Sequence, residues 1–81
     1  MLANDMKKGQ RGTQVNGWSF EIADNLKGVT RMAKVWGLYT EIGSIYIHEI
    51  ATLDMPDGST ERIEFTPKQS KQIAFIKAAG F

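Results

Sequence analysis

His48 is the only histidine in the chain of 81 residues, and cysteine is absent. A transition-metal site would therefore depend on carboxylates such as Glu41 and Glu49, and their spacing from His48 is not that of metal ligands. Ser44 shares a predicted strand face with His48, but four residues at about 3.3 Å each separate them too far for a hydrogen bond. We predict no catalytic residue, no metal site and no cofactor, and a protein that is not an enzyme.

The eight glycines do not form a phosphate-binding loop. The chain contains no GxxxxGK[ST] sequence, and no glycine-rich turn opens a predicted helix. The glycines instead separate short runs with strand-like alternation, which is typical of tight turns between β-strands.

Cations and aromatic residues are interleaved between residues 27 and 48. This arrangement is typical of proteins that stack single-stranded bases, but exposed aromatic residues are equally suited to anchor a protein interface. Trp18 and Trp36 are alternatively core residues, and the sequence pattern does not show which of the two tryptophans is buried. We define a candidate binding surface by these residues: Arg31, Lys34, Trp36, Tyr39, Tyr46 and His48.

The overall charge does not demand a polyanionic partner, because the net charge is only +1. Residues 1–40 carry six cations and three acids, and residues 41–81 carry four cations and six acids, so the first half is weakly basic. No apolar run approaches the roughly 18 residues of a membrane span, and the N-terminus does not resemble a signal peptide. We expect a cytoplasmic protein that does not engage a membrane.

Alternation of apolar and polar residues predicts strands over residues 10–15, 18–24, 29–36, 44–50, 51–55 and 60–65. Gly12 within the first strand predicts a bulge or a close backbone approach. Asn16-Gly17 predicts a type I′ hairpin, in which both central residues have positive φ. Residues 37–43 are predicted to form a loop, and residues 1–9 a loose N-terminal lead-in.

A C-terminal helix is predicted from the residues that would cap its two ends. Thr66 suits the N-cap, Pro67 the first helical position and Gln69 the third residue of a capping box. Gly80 occupies the place of a C′ glycine, and Phe81 is expected to contact Ile76. The expected apolar stripe consists of Ile73, Phe75, Ile76 and Ala79.

These elements predict one mainly β domain over residues 1–81. Residues 10–65 are expected to form a small, SH3-like, strongly bent antiparallel barrel of five to six strands, and residues 66–81 a capping α-helix. An open sheet with the helix packed on one face is the alternative.

The region from residue 7 to residue 50 resembles small uncharacterised proteins of tailed marine phages, in particular the T-even-like cyanophages. The resemblance implies a viral origin, with the host cytoplasm as the location, and assigns no site residue. It is carried by Lys8-Gly9, Asn16-Gly17-Trp18, Glu21-Ile22-Ala23-Asp24-Asn25, Lys27-Gly28, Thr30-Arg31, Gly37, Tyr39-Thr40-Glu41, Gly43-Ser44-Ile45-Tyr46 and His48-Glu49-Ile50.

The function predicted from these patterns is that of a non-enzymatic binding or assembly module. We expect it to engage a protein partner or a second copy of itself. The alternative is a weak nucleic-acid-binding domain that uses Arg31, Lys34, Trp36 and Tyr39.

Overall fold

Six antiparallel strands form one sheet, followed by a C-terminal helix, in the computed structural model, which describes residues 1–80. The sheet order is β4-β3-β2-β1-β5-β6, and within residues 1–80 the two outer strands do not close it into a barrel. The mainly β class and the C-terminal helix are therefore confirmed. The elements are β1 (Arg11–Gln14), β2 (Ser19–Ile22), β3 (Thr30–Trp36), β4 (Thr40–Tyr46), β5 (Ile50–Asp54), β6 (Thr60–Glu61), α1 (Pro67–Ala78) and two short 3₁₀ turns, Ala3–Asp5 and Ile47–Glu49.

The strands bury one face, as the alternation predicts. In β3, Arg31, Ala33 and Val35 are buried on the inner face, while Met32 and Lys34 are exposed on the outer face. Neighbouring strands add their own inward side chains because cross-strand partners point to the same face. The apolar core consists of Ala3, Met6, Phe20, Ile22, Ala33, Val35, Ile45, Ile47, Ile50, Leu53 and Ile73.

The β1–β2 hairpin uses a different turn from the predicted type I′. Gly17 has φ of 89°, but no residue other than glycine has positive φ within residues 1–80. The Gly17 N–H donates to the Gln14 carbonyl at 3.0 Å, and the Gln14 N–H donates to the Trp18 carbonyl at 2.7 Å. This geometry is that of a three-residue loop ending in a glycine bulge. The hairpin was predicted correctly, and its turn type was wrong.

The close backbone approach predicted at Gly12 is confirmed, because β2 and β5 both lie against it. It pairs with Phe20 on one side and Leu53 on the other. A Cβ atom at this position would overlap the Thr52 carbonyl oxygen and lie 2.9 Å from the Phe20 ring. The register of β1 against β5 then shifts between Thr13 and Gln14, so a bulge follows directly.

The predicted loop at residues 37–43 is wrong in most of its length. β4 already begins at Thr40, and it pairs with β3 over seven residues, from Trp36↔Thr40 to Thr30↔Tyr46. The turn itself is short, with the Gly37 N–H donating to the Tyr39 carbonyl at 3.0 Å. Gly43 was interpreted as a loop residue, but it lies within the strand.

The first part of the N-terminal segment packs against the core, which differs from the predicted loose lead-in. Ala3 and Met6 are fully buried, whereas residues 7–9 are exposed. Leu2 forms a parallel bridge with Glu64, in which the Ala3 N–H donates to the Glu64 carbonyl at 2.8 Å. Ala3 and Met6 are therefore part of the apolar core.

The helix begins as predicted and packs through a narrower stripe. Thr66 and Gln69 form the capping box. Ile73 is buried, but Phe75 is 78% exposed, so its place in the apolar stripe was wrong. Gly80 has φ of 91°, as a C′ glycine requires. The expected contact of Phe81 lies outside the described residues.

Arg31 is the largest fully buried side chain, with 1% of its surface exposed. Its Nε donates to Asp24 Oδ1 at 2.6 Å, and its Nη2 donates to the Asp24 and Met6 carbonyls at 2.9 and 2.8 Å. Nη1 donates to the Ala3 carbonyl at 3.2 Å. Arg31 therefore joins β3, the β2–β3 loop and the N-terminal segment, and its predicted place on a binding surface was wrong.

We expect Gly12→Ala to lower the free energy of unfolding by about 1–3 kcal/mol, because the added methyl group overpacks the β1–β5 contact. Gly43→Ala is the matched control, since a Cβ there meets no atom within 4 Å. That change should alter stability by about 0.5 kcal/mol or less. Urea denaturation of both variants checks the difference, and equal losses would contradict the proposed close approach.

Asp24 should make stability depend on acid pH. Burial alone would raise the pKa of its carboxyl, but hydrogen bonds from Arg31, Met32 and Leu26 outweigh burial and hold the pKa below its ordinary range. The stabilisation is thus complete above the unfolded-state pKa of about 3.9 and is lost as pH falls through the lower folded-state pKa. Urea denaturation between neutral and acid pH measures this dependence.

We expect Asp24→Ala to cost about 3–5 kcal/mol at neutral pH, because it leaves the Arg31 charge buried without its counterion. Asp57→Ala is the control, since it removes an exposed turn carboxylate that accepts hydrogen bonds from Ser59. The control should lose less. Replacing both members, as Asp24→Leu with Arg31→Met, should be less harmful than Asp24→Ala. Similar losses for Asp24→Ala and Asp57→Ala would contradict the role of the buried pair.

Candidate binding site

The six residues of the candidate surface do not come together. Lys34 and Trp36 lie on the outer face of β3, and Tyr39 lies in the β3–β4 turn. Tyr46 lies at the far end of β4, opposite Thr30 rather than Trp36. Because Arg31 is buried, the remaining five residues form two separate groups, one at each end of the β3–β4 hairpin.

The first group is joined by Arg11, which the sequence pattern did not single out. Its guanidinium carbon lies 5.9 Å from the centroid of the Trp36 ring, and its Nε forms an ion pair with Glu21 at 2.7 Å. Glu21 also pairs in register with Lys34. Two cations thus share this outer-face hollow, of about 430 Å³, with one carboxylate.

The second group is a stack of two rings. The rings of Tyr46 and His48 are 5.3 Å apart with an interplanar angle of 25°. The Nδ1 atom of His48 is buried without a hydrogen-bond partner within residues 1–80. His48 belongs to the 3₁₀ turn that follows β4, so the stack lies where the β3–β4 pairing ends.

Trp18 and Tyr39 form a pair that the predicted surface did not contain. Their ring centroids are 4.9 Å apart and their planes are at 84°, which is an edge-to-face arrangement. Trp18 lies directly over Gly37, where any Cβ atom would overlap its indole ring. By strand parity Trp18 is on the inner face and Trp36 on the outer face, and both are half-buried. The available signal was a tryptophan directly before β2 and a glycine directly after β3, since antiparallel pairing brings these two positions together.

This pair borders a second hollow, of about 260 Å³, on the inner side of the sheet. Glu41, Glu49 and Gln14 are among the residues that line it. The side chain of Gln14 is 5% exposed. The lining residues are Gln14, Asn16, Trp18, Val35, Tyr39, Glu41, Ser44, Ile45 and Glu49. They include two acids and no cation.

β4 is an edge strand, and apolar residues are exposed along it. Ile42 is 70% exposed on the outer face, and Leu38 in the adjoining turn is 93% exposed. Tyr39 is also exposed. Contiguous exposed apolar residues mark interaction sites, whereas isolated ones are ordinary, so these three residues make β4 and its turn the place to look for an interface.

Comparison of the chain with known proteins assigns no function. No protein-family model, no curated protein and no solved structure matches the chain. Among residues 1–80, no three His, Asp or Glu side chains are grouped as metal ligands would be. In the same range, no helix has the length and apolar character needed to cross a bilayer.

We expect Gly37→Ala to displace the indole ring of Trp18 and to cost about 1–3 kcal/mol by overpacking. The indole should become more exposed to water, so tryptophan emission should shift to longer wavelength in a Trp36→Phe background. Gly43→Ala in that background is the control, because it adds the same methyl group in open space. An unchanged emission maximum in the Gly37 variant would show that Trp18 does not rest on this glycine.

Proposed function

We propose that this chain is a non-enzymatic binding and assembly module that engages a protein strand, in the first place a second copy of itself. The free edge of β4 would be the interface. The observation that carries the proposal is that β4 is an edge strand with Ile42 exposed on its outer face and Leu38 exposed in the turn before it.

The two edges of the sheet differ in a way that supports this proposal. An unpaired edge offers backbone N–H and C=O groups to another chain, and proteins protect such edges with short strands, lysine or proline. β6 has only two residues, Thr60 and Glu61. β4 has seven residues without lysine or proline, and its one charged residue, Glu41, is on the inner face by parity. β6 is thus protected by its shortness, whereas β4 has one protective feature, the inward-pointing Glu41.

The sequence of β4 is also complementary to itself in one antiparallel register. If two copies pair about a two-fold axis at Gly43, Glu41 lies opposite Ile45 and Ile42 lies opposite Ser44. Like charges then do not face each other, and the two Ile42 side chains are diagonal neighbours, within contact range. An interface of this kind is closed and symmetric, as in most homodimers.

We also propose that the fold is a variant of the SH3-like class. The order β5-β1-β2-β3-β4 and the single 3₁₀ turn between β4 and β5 support this relation. The phage origin remains a proposal that rests on the sequence resemblance alone. A fold of this class would not by itself assign a partner, because such folds support many functions.

Nucleic-acid binding is the less supported alternative. It relied on Arg31, whose charge is buried against Asp24. The cations left on the outer face are Arg11 and Lys34, with Glu21 between them. This is well short of the basic surface expected of a nucleic-acid-binding protein. Binding to DNA that weakens steeply with salt would revive this alternative.

We expect light scattering to show dimers of the wild-type chain at high concentration and a shift towards monomers in Ile42→Lys. A lysine on the outer face of an edge strand disfavours pairing because its charge would be desolvated at the interface. Leu26→Lys is the matched control, since Leu26 is 64% exposed but lies in the β2–β3 loop. A wild-type chain that stays monomeric, or equal behaviour of the two variants, would contradict self-association through β4.

A further inference from the structure

We propose that the inner hollow between Trp18, Tyr39 and Glu49 is a binding site for a cationic side-chain head, the ammonium of a lysine or the guanidinium of an arginine. This inference concerns the opposite face from the exposed Ile42 and does not depend on pairing through β4. Two aromatic rings and two acidic residues line this hollow and favour a cation.

The two rings supply an aromatic corner. A cation is attracted to the negative face of a tryptophan or tyrosine ring within about 6 Å of its centroid. Trp18 and Tyr39 are in edge-to-face contact at 84°, so a cation cannot lie between them but can meet a ring face in the angle that the two planes form. Gly37 permits this placement, because any side chain there would push the indole away.

The charges around the hollow also favour a cation. Glu41 and Glu49 are both in its wall, and none of the lining residues is basic. Neither carboxylate takes part in an ion pair within residues 1–80. Glu49 Oε1 accepts a hydrogen bond only from the Tyr46 N–H, at 3.4 Å. A bound ammonium would therefore meet two acceptors that have no counterion of their own.

Gln14 borders the same hollow and is 5% exposed. Within residues 1–80, its amide is not among the buried side-chain groups that lack a hydrogen-bond partner. An amide oxygen accepts hydrogen bonds from cationic N–H groups, so Gln14 is compatible with a cationic head in the hollow.

The size of the hollow fits a side chain rather than a metabolite. Its volume of about 260 Å³ lies below the roughly 300–1,000 Å³ of sites for drug-sized ligands. A lysine or arginine projecting from a partner would place only its charged head inside. The rest of the partner would remain outside and contact the rim.

The test is a titration at constant ionic strength, followed by Trp18 emission in a Trp36→Phe background. The probes are the acetylated methylamides of lysine, trimethyllysine and arginine, with the norleucine compound as the neutral control. We expect a saturable change with at least one cation, at millimolar concentration, and none with norleucine. Should the Trp36 variant fail to fold, the indole N–H resonance of Trp18 in the wild-type chain gives the same readout.

Two variants decide whether binding takes place in this hollow. Tyr39→Leu and Glu49→Gln should each weaken binding by about 3- to 30-fold, in keeping with the loss of one cation–ring or charge contact. Glu64→Gln removes an exposed carboxylate elsewhere and should leave binding unchanged. No saturation with any cation, an equal response to norleucine, or unchanged binding in both site variants would overturn the proposal.

Discussion

The buried guanidinium of Arg31 is the interaction on which the arrangement of the chain depends. A charge removed from water is tolerated only when its hydrogen-bonding groups are paired and a counterion is near. Four hydrogen bonds meet this condition, and their acceptors come from Asp24, Met6 and Ala3. One side chain thus ties the N-terminal segment to the β2–β3 loop, in addition to the backbone bridge between Leu2 and Glu64.

The two faces of the sheet carry different groups of aromatic residues. The outer face carries Trp36 with Arg11, and the inner face carries Trp18 with Tyr39. A single hairpin, β3–β4, contributes to both, because residues of opposite parity in its strands point in opposite directions. The chain therefore offers two distinct surfaces within one small structural unit, and a partner of either surface would contact the same turn.

The regular parts of this fold were predictable from the sequence, and the exceptions have physical causes. Strand alternation and the capping box depend on neighbouring residues, so β1, β2, β3 and α1 were located within a few residues. The burial of Arg31 depends on Asp24 and on two distant carbonyl groups, which no local pattern reveals. Gly43 was read as a loop residue because glycine is rare within strands. Trp18 was not assigned to a site because its partner, Tyr39, lies across a turn.

The parallel bridge between Leu2 and Glu64 has a consequence for how the protein forms. Residues 2–6 are synthesised before their partners at Arg31 and Glu64, which follow much later along the chain. Until then, the apolar side chains of Ala3 and Met6 have no surface to cover. Closing so long a loop is entropically unfavourable before the sheet exists, so the docking of this segment should be a late event in folding. The contact between the N-terminal segment and the sheet is then the last part of the core from which water is excluded.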